Sequence, residues 1–234
     1  MNLFGVLYSK SYLVFIWSVS LKLGIVCGLI ILLFANLAMA IEEPKFTVIE
    51  KSGDFELRSY APRVVAETLV DGSLDDASGV GFRLIADYIF GNNTSRGLVN
   101  DGGSEKISMT APVTMAPKAE KNSPEKISMA AQVSMQQSAG KWRMYFVMPS
   151  KYTLNTLPVP NNAAVTLREL PASRMAVLRF SGLAGEEKTA KKTAELLAWL
   201  TSKNITPIGT PELARYNPPW TLPFLRRNEV MVAY

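Results

Sequence analysis

The chain has 234 residues, with 25 basic against 20 acidic side chains, one cysteine and no histidine. The missing histidine excludes a Ser-His-Asp triad, a histidine general base, a histidine metal site and an axial histidine on haem iron. A net charge of +5 is too mild to argue for a nucleic-acid partner.

The first element is apolar. Residues 23–40 form a run of eighteen without a charge, preceded by Lys10 and Lys22 and closed by Ala38-Met39-Ala40. The small-x-small ending before Glu42 and Glu43 predicts a signal peptide, residues 1–40, cleaved after Ala40. The rival is an uncleaved membrane anchor, because such a run almost spans a bilayer. Both place residues 41–234 outside the cytoplasm, periplasmic or secreted. That part keeps 23 basic and 20 acidic residues once Lys10 and Lys22 are set aside, a net charge of +3. It is long enough for one domain with a sizeable core. Cys27 lies in the leader, so residues 41–234 form no disulfide and offer no cysteine for lipid attachment.

Residues 45–50 (KFTVIE), 55–60 (FELRSY) and 64–70 read as strands separated by Ser52-Gly53-Asp54 and Ala61-Pro62. Ser73 with Asp75 and Asp76 reads as a helix start, a cap followed by acids at the positive end of the dipole. Val80, Leu84 and Tyr88 make one stripe and Phe82, Ile85 and Ile89 an adjacent one, a width that suits a helix lying on a sheet. Gly91 closes the helix, and residues 92–104 are a polar, glycine-containing loop.

An eleven-residue phrase then occurs twice, EKISMTAPVTM at 105–115 and EKISMAAQVSM at 125–135. Ile107, Met109, Ala111, Val113 and Met115 share one parity, the period-2 mark of a strand with one apolar face, and the second copy keeps that phase. Two strands are expected, with Pro112 marking an edge, bulge or bend. Residues 141–148 (KWRMYFVM) add an aromatic strand. Strands at 165–169 and 174–180, a helix at 186–202 with Ala190, Ala194, Leu197 and Leu200 facing inwards, and strands at 205–208, 212–216 and 229–233 complete the chain. Strand-strand-helix-strand-strand thus occurs twice, which predicts an α+β fold with pseudo-twofold symmetry.

The phrases EKISMTAPVTM, WRMYFVMP, ELPASRMAVLRFSG and ARYNPPWTLPFLRRNEV, spread over residues 46–232, resemble the SOUL haem-binding family. That resemblance implies a distorted antiparallel barrel of about eight strands flanked by two helices. It also implies haem or a related tetrapyrrole in an apolar groove near the first helix, with a basic residue meeting the propionates. Carried onto this chain, the groove would be formed by Phe82, Ile85 and Ile89, with Arg83 as the cation and Met109 and Met115 nearby; Asp87 would repel a propionate. Burying ~400 Å² of macrocycle gives about 10 kcal/mol, against about 4–15 kcal/mol for association. A loose carrier or scavenger is therefore expected, without catalysis.

Two other functions compete. One is an exported interaction or scaffold domain with no small ligand. The other uses the thioethers of Met109, Met115, Met129 and Met135 for Cu(I), although same-face strand methionines ordinarily fill a core. Enzyme signatures are weak. Gly79-Val80-Gly81 lacks the third glycine of a dinucleotide loop, Leu84 standing in its place. Asp75/Asp76 and Glu186/Glu187 open helices, where the dipole accounts for them. Arg226-Arg227 reads as a surface pair with an anion-holding alternative, and Tyr60 as a buried structural tyrosine with a phenolate alternative.

Overall fold

Strand β1 (Phe46–Ser52) and strand β2 (Phe55–Tyr60) form a hairpin, and β3 (Arg63–Asp71) leads into helix α1 (Leu74–Ile89). These elements come from a computed structural model that describes residues 42–96, 103–118 and 141–234. Leader residues 1–40 and the second copy of the repeated phrase, with Met129 and Met135, lie outside the described residues. The remaining elements are β4 (Asn93–Thr94), β5 (Val113–Pro117), β6 (Lys141–Val147), β7 (Val159–Pro160), β8 (Thr166–Leu170), β9 (Ser173–Ser181), α2 (Glu186–Ser202), β10 (Ile208–Arg215) and β11 (Arg227–Ala233). A 3₁₀ turn, Pro223–Leu225, precedes β11.

Nine strands make one antiparallel sheet in the order β1-β2-β9-β11-β10-β5-β6-β3-β8, and β4 and β7 pair separately. Outwards from the central β10·β5 pair the order is β11, β9, β2 on one side and β6, β3, β8 on the other. The two strand-strand-helix-strand-strand segments are thus related about that pair, and each lends its first strand to the other half. The barrel expected from the resemblance does not form. Strands β1 and β8 each have one partner and end the sheet as edges. Strand β1 extends the hairpin outward and carries Glu50 and Lys51, charges that guard an edge against further pairing.

Ser73 caps α1 by accepting from the Asp76 N–H. The inner face of α1 is Leu74, Ala77, Gly81, Ile85, Tyr88 and Ile89, whereas Val80 and Phe82 flank it and are partly exposed. Gly79-Val80-Gly81 lies mid-helix. Gly81 is there because α1 presses on β6: a Cβ would stand 2.8 Å from the Met144 sulfur. At Gly79 the nearest atom to such a Cβ is an Arg83 nitrogen at 3.5 Å. Gly79→Ala is therefore expected to stabilise the domain by about 0.5–1 kcal/mol through helix propensity. Gly81→Ala should destabilise it by about 1 kcal/mol, overpacking outweighing the same gain. Urea unfolding reads both, and shifts of the same sign would contradict this account.

Helix α2 buries Thr189, Thr193, Leu196 and Leu200; the alanine stripe expected there lies one position off, with Ala194 exposed. The threonines tolerate burial because Thr189 Oγ1 donates to Gly185 O and Thr193 Oγ1 to Thr189 O, each at 2.8 Å. Pro211 sits inside the central strand β10, where the pairing with β11 shifts between Ile208 and Glu212.

The first copy of the repeated phrase is mostly not a strand. Only Val113, Thr114 and Met115 of it enter β5. Residues 105–112 instead form a pinned loop. Ile107 N–H donates to Ile89 O at 2.9 Å and places its side chain in the core. Buried Asn93 donates to Tyr88 O and Glu105 O and accepts from the Glu105 N–H. Thr110 Oγ1 donates to Val147 O. Period-2 alternation failed as a guide because hydrogen bonds to Ile89, Asn93 and Val147, not a ladder, fix this loop.

Among the described residues, every member of the three apolar clusters lies between Phe46 and Tyr234. Residues Ile41–Tyr234 form one compact unit around this core.

Candidate functional site

One face of the sheet carries both helices. Ala66, Trp142, Met144, Phe146, Ala176, Leu178, Val230 and Val232 point to it and share a core with Leu74, Ile85, Leu196 and Leu200. The alternate positions point the other way: Arg58, Tyr60, Arg63, Val65, Thr114, Tyr145, Val147, Met175, Tyr216, Glu229 and Met231. Among the described residues this second face carries no helix, yet much of it is buried, and residues 42–46 contribute to its cover. Glu42 O accepts from the Ala111 N–H at 3.0 Å, Glu43 pairs with Arg227 at 3.0 Å, and the Phe46 ring lies 5.3 Å from that of Tyr60.

The centre of that face is ionic. Glu229 has no solvent exposure and Arg58 has 2%. Arg58 gives Glu229 two hydrogen bonds, at 2.9 and 3.0 Å. Arg227 adds two more, at 3.1 and 2.9 Å, and the Tyr216 hydroxyl another at 2.6 Å. Burial pushes the Glu229 pKa up, but the Arg58 hydrogen bonds and charge, helped by Tyr216 and Arg227, outweigh it and hold the carboxyl below its ordinary value. Burial and the adjacent Glu229 carboxylate push the Tyr216 pKa up, so its hydroxyl stays a donor. Close by, Tyr145 donates to Glu212 at 2.6 Å; burial first and then Glu212 raise its pKa.

An open cleft of about 340 Å³ lies between residues 42–45, residues 61–64 and the segment that follows β6. Its apolar walls are Pro44, Val64, Val147, Met148 and Leu154. A second cavity of about 20 Å³, room for one water, lies among Tyr60, Tyr145, Tyr216, Met175 and Met231. Pro44, Val147 and Arg63 line both spaces. Arg63 is half-buried, stands 4.8 Å from the Tyr60 ring and donates to Ser173 Oγ at 3.4 Å. No carboxylate pairs with it among the described residues. Lys45 is at the rim. Three acids also reach the cleft: Glu43 is paired with Arg227, Glu42 accepts from the Ser150 N–H at 2.8 Å, and Glu169 is exposed at the edge. The cleft therefore offers an anion one inner guanidinium beside apolar walls, at the small end of the about 300–1,000 Å³ typical of ligand pockets.

The six residues expected to hold a tetrapyrrole do not share one surface. Ile85, Ile89 and Met115 are in the core, because helical spacing turns Ile85 and Ile89 inwards and Met115 packs under α1, where Ser78 Oγ approaches its sulfur at 2.8 Å. Phe82 is at the helix flank, its ring 5.6 Å from that of buried Phe146, and Arg83 faces solvent. Met109 is half-buried in the loop before β5. Arg58, Arg63, Tyr145 and Glu229 were not singled out from the sequence. The available signal was charge within strands: Arg58 between Leu57 and Ser59 in FELRSY, and Glu229 opening the apolar EVMVA. Tyr60 is a buried tyrosine that accepts from Arg58 at 3.2 Å.

Haem fits this donor set only in part. Arg63 suits a propionate and the apolar walls suit a ring edge. Among the described residues that line the cleft, firm iron ligation has no candidate with suitable chemistry. Tyr152 donates to Glu105 at 2.5 Å, and burial with that carboxylate pushes its pKa up to about 12, so a phenolate is disfavoured. Met148 lines the cleft but is itself buried. No group of three or more acidic or cysteine side chains suited to a metal occurs among the described residues.

The family model described as SOUL heme-binding protein matches residues 41–233. No curated protein matches the chain. Among solved structures, the crystal structure of the EcmrR C-terminal domain superposes with a TM-score of 0.52 at 9% identity, covering 76% of this chain and 95% of that one. A crystal structure of a hydrolase from Listeria innocua reaches a TM-score of 0.46 at 11% identity, covering 79% of this chain and 93% of that one. At this identity the first likeness is one of fold alone.

Proposed function

Because the chain belongs to the SOUL heme-binding protein family, we propose that the domain is a non-catalytic binder of haem or a related tetrapyrrole, held loosely in the cleft beside Arg63. The observation that carries this placement is the half-buried Arg63 guanidinium without a carboxylate partner among the described residues, set against apolar walls. A half-desolvated cation makes a stronger hydrogen bond to a carboxylate than a surface one does. Arg63 and Lys45 would hold a propionate, and Pro44, Val147 and Leu154 would cover the ring edge. A volume of about 340 Å³ admits one edge of a macrocycle and leaves the rest in water. Bound haem would supply the redox and ligand chemistry of its iron; these residues supply position and charge.

Carboxylate anchoring without iron ligation has a distinctive signature. Hemin and iron-free protoporphyrin should bind within about threefold of each other, and the dimethyl ester of protoporphyrin at least about tenfold more weakly, one charge-assisted contact being worth about 1.5–3 kcal/mol. Absorbance titration measures the first and fluorescence the other two. Equal binding of the ester, or hemin binding some 30-fold tighter than the free ring, would set the proposal aside.

A further inference from the structure

We propose that the loop between β10 and β11 is a membrane-interface contact that lays this domain on an anionic lipid surface. Trp220, Leu222, Phe224 and Leu225 are exposed by 83, 56, 70 and 62%. Four large apolar side chains in six residues are unusual on a water-facing surface. Leu183, 58% exposed, adjoins them, since the Gly182 N–H donates to Pro223 O at 2.9 Å.

The loop is built to keep these side chains out. Arg226 Nε donates to Thr221 O at 2.7 Å and its Nη2 to Pro219 O. The Thr221 N–H donates to Pro218 O at 3.0 Å, and the Arg227 N–H to the Asn217 side chain at 2.7 Å. Pro218, Pro219 and Pro223 limit the backbone further. A tied loop loses little entropy when its tips enter lipid.

Charge and connectivity select the occupant. Residues 218–227 contain no acid. Arg226 and Lys188 have no carboxylate partner among the described residues, and the Lys188 amine lies against Gly182, donating to Ser181 O at 2.7 Å. Apolar tips with Trp at the margin and cations behind them match a headgroup region that carries negative charge. The Glu43–Arg227 ion pair, 3.0 Å, ties the start of the domain to the base of the loop. In sequence, the apolar run 23–40 ends three residues before Glu43. The side chains offer about 500–600 Å², less than the about 800 Å² that each partner gives to a standard protein interface, and sufficient for shallow insertion.

The domain from Ile41 onward carries its own core and isolates the loop from the leader. Co-flotation with vesicles of phosphatidylcholine containing one-third phosphatidylglycerol should show binding that weakens as salt is raised, with a blue shift in Trp emission. Leu222→Ser/Phe224→Ser/Leu225→Ser should weaken partitioning about 100-fold, each apolar side chain being worth several-fold, at an unchanged melting temperature. Absence of vesicle binding by the parent domain, or undiminished binding by the triple variant, overturns the proposal. A concentration-dependent dimer that the triple variant abolishes, without lipid binding, would overturn it in favour of a second copy.

Discussion

Glu229→Gln should lower the unfolding free energy by about 3 kcal/mol, read as a shift in urea midpoint at constant slope. The carboxylate is wholly buried and receives five hydrogen bonds from Arg58, Arg227 and Tyr216. Removing its charge strands a guanidinium that is itself 2% exposed. Arg58 retains Glu56 through a 2.7 Å bond, and Arg227 retains Glu43, so the loss stops short of that for an isolated buried charge. Desolvation makes such networks costly to break and of modest net worth when whole. Arg58→Met/Glu229→Gln should therefore recover at least half of the loss. A double variant no more stable than the single one would show that shape, not charge, governs the site.

Acid sensitivity follows from the same carboxylate. Its folded pKa lies below the ordinary 4.5, because the arginine and tyrosine hydrogen bonds and charges outweigh burial. A carboxyl with a depressed folded pKa contributes stability that is fully present above its unfolded value and is lost as pH falls through the folded one. The loss should begin near 4.5 and deepen below it. Glu42 and Glu56, whose pKa values are also lowered, act in the same direction. In Glu229→Gln the acid limb of the stability curve should be shallower than in the parent.

Much of the secondary structure was legible because its determinants are local. Ser73, Asp75 and Asp76 announce α1, Ala61-Pro62 separates β2 from β3, and the break at residues 182–185 precedes α2. The duplicated order of elements gave the symmetry. What was illegible depends on contacts distant in sequence. Closure into a barrel would require β1 to pair with β8, and neither strand's pattern reports on that. The EKISMTAPVTM alternation is satisfied by a loop that Asn93, Ile89 and Val147 pin from elsewhere in the chain. The candidate site suffered most. Apolar residues on α1 looked like a groove, but Ile85 and Ile89 are what hold the helix to the sheet. Arg63 was unremarkable in sequence, since only the return of residues 42–46 and β8 beside it makes its surroundings a cleft.

Arg63→Glu should weaken hemin about 100-fold, the larger functional effect expected here. The substitution removes a charge-assisted contact and sets a carboxylate against a propionate at close range in a partly desolvated cleft. Arg83→Glu on α1 is the matched control. Arg83 faces solvent, apart from the cleft wall, so its reversal should change affinity by less than about twofold. Arg83→Glu should melt with the parent, whereas Arg63→Glu loses the Tyr60 and Ser173 contacts and is titrated below its own melting temperature.

Side-by-side absorbance titration of the parent, Arg63→Glu and Arg83→Glu with hemin is the most direct trial of a porphyrin seat in the Arg63 cleft. The predicted result is a saturable Soret shift in the parent and in Arg83→Glu, displaced by about two orders of magnitude in Arg63→Glu. No saturable shift in the parent, or a loss confined to Arg83→Glu, would contradict it.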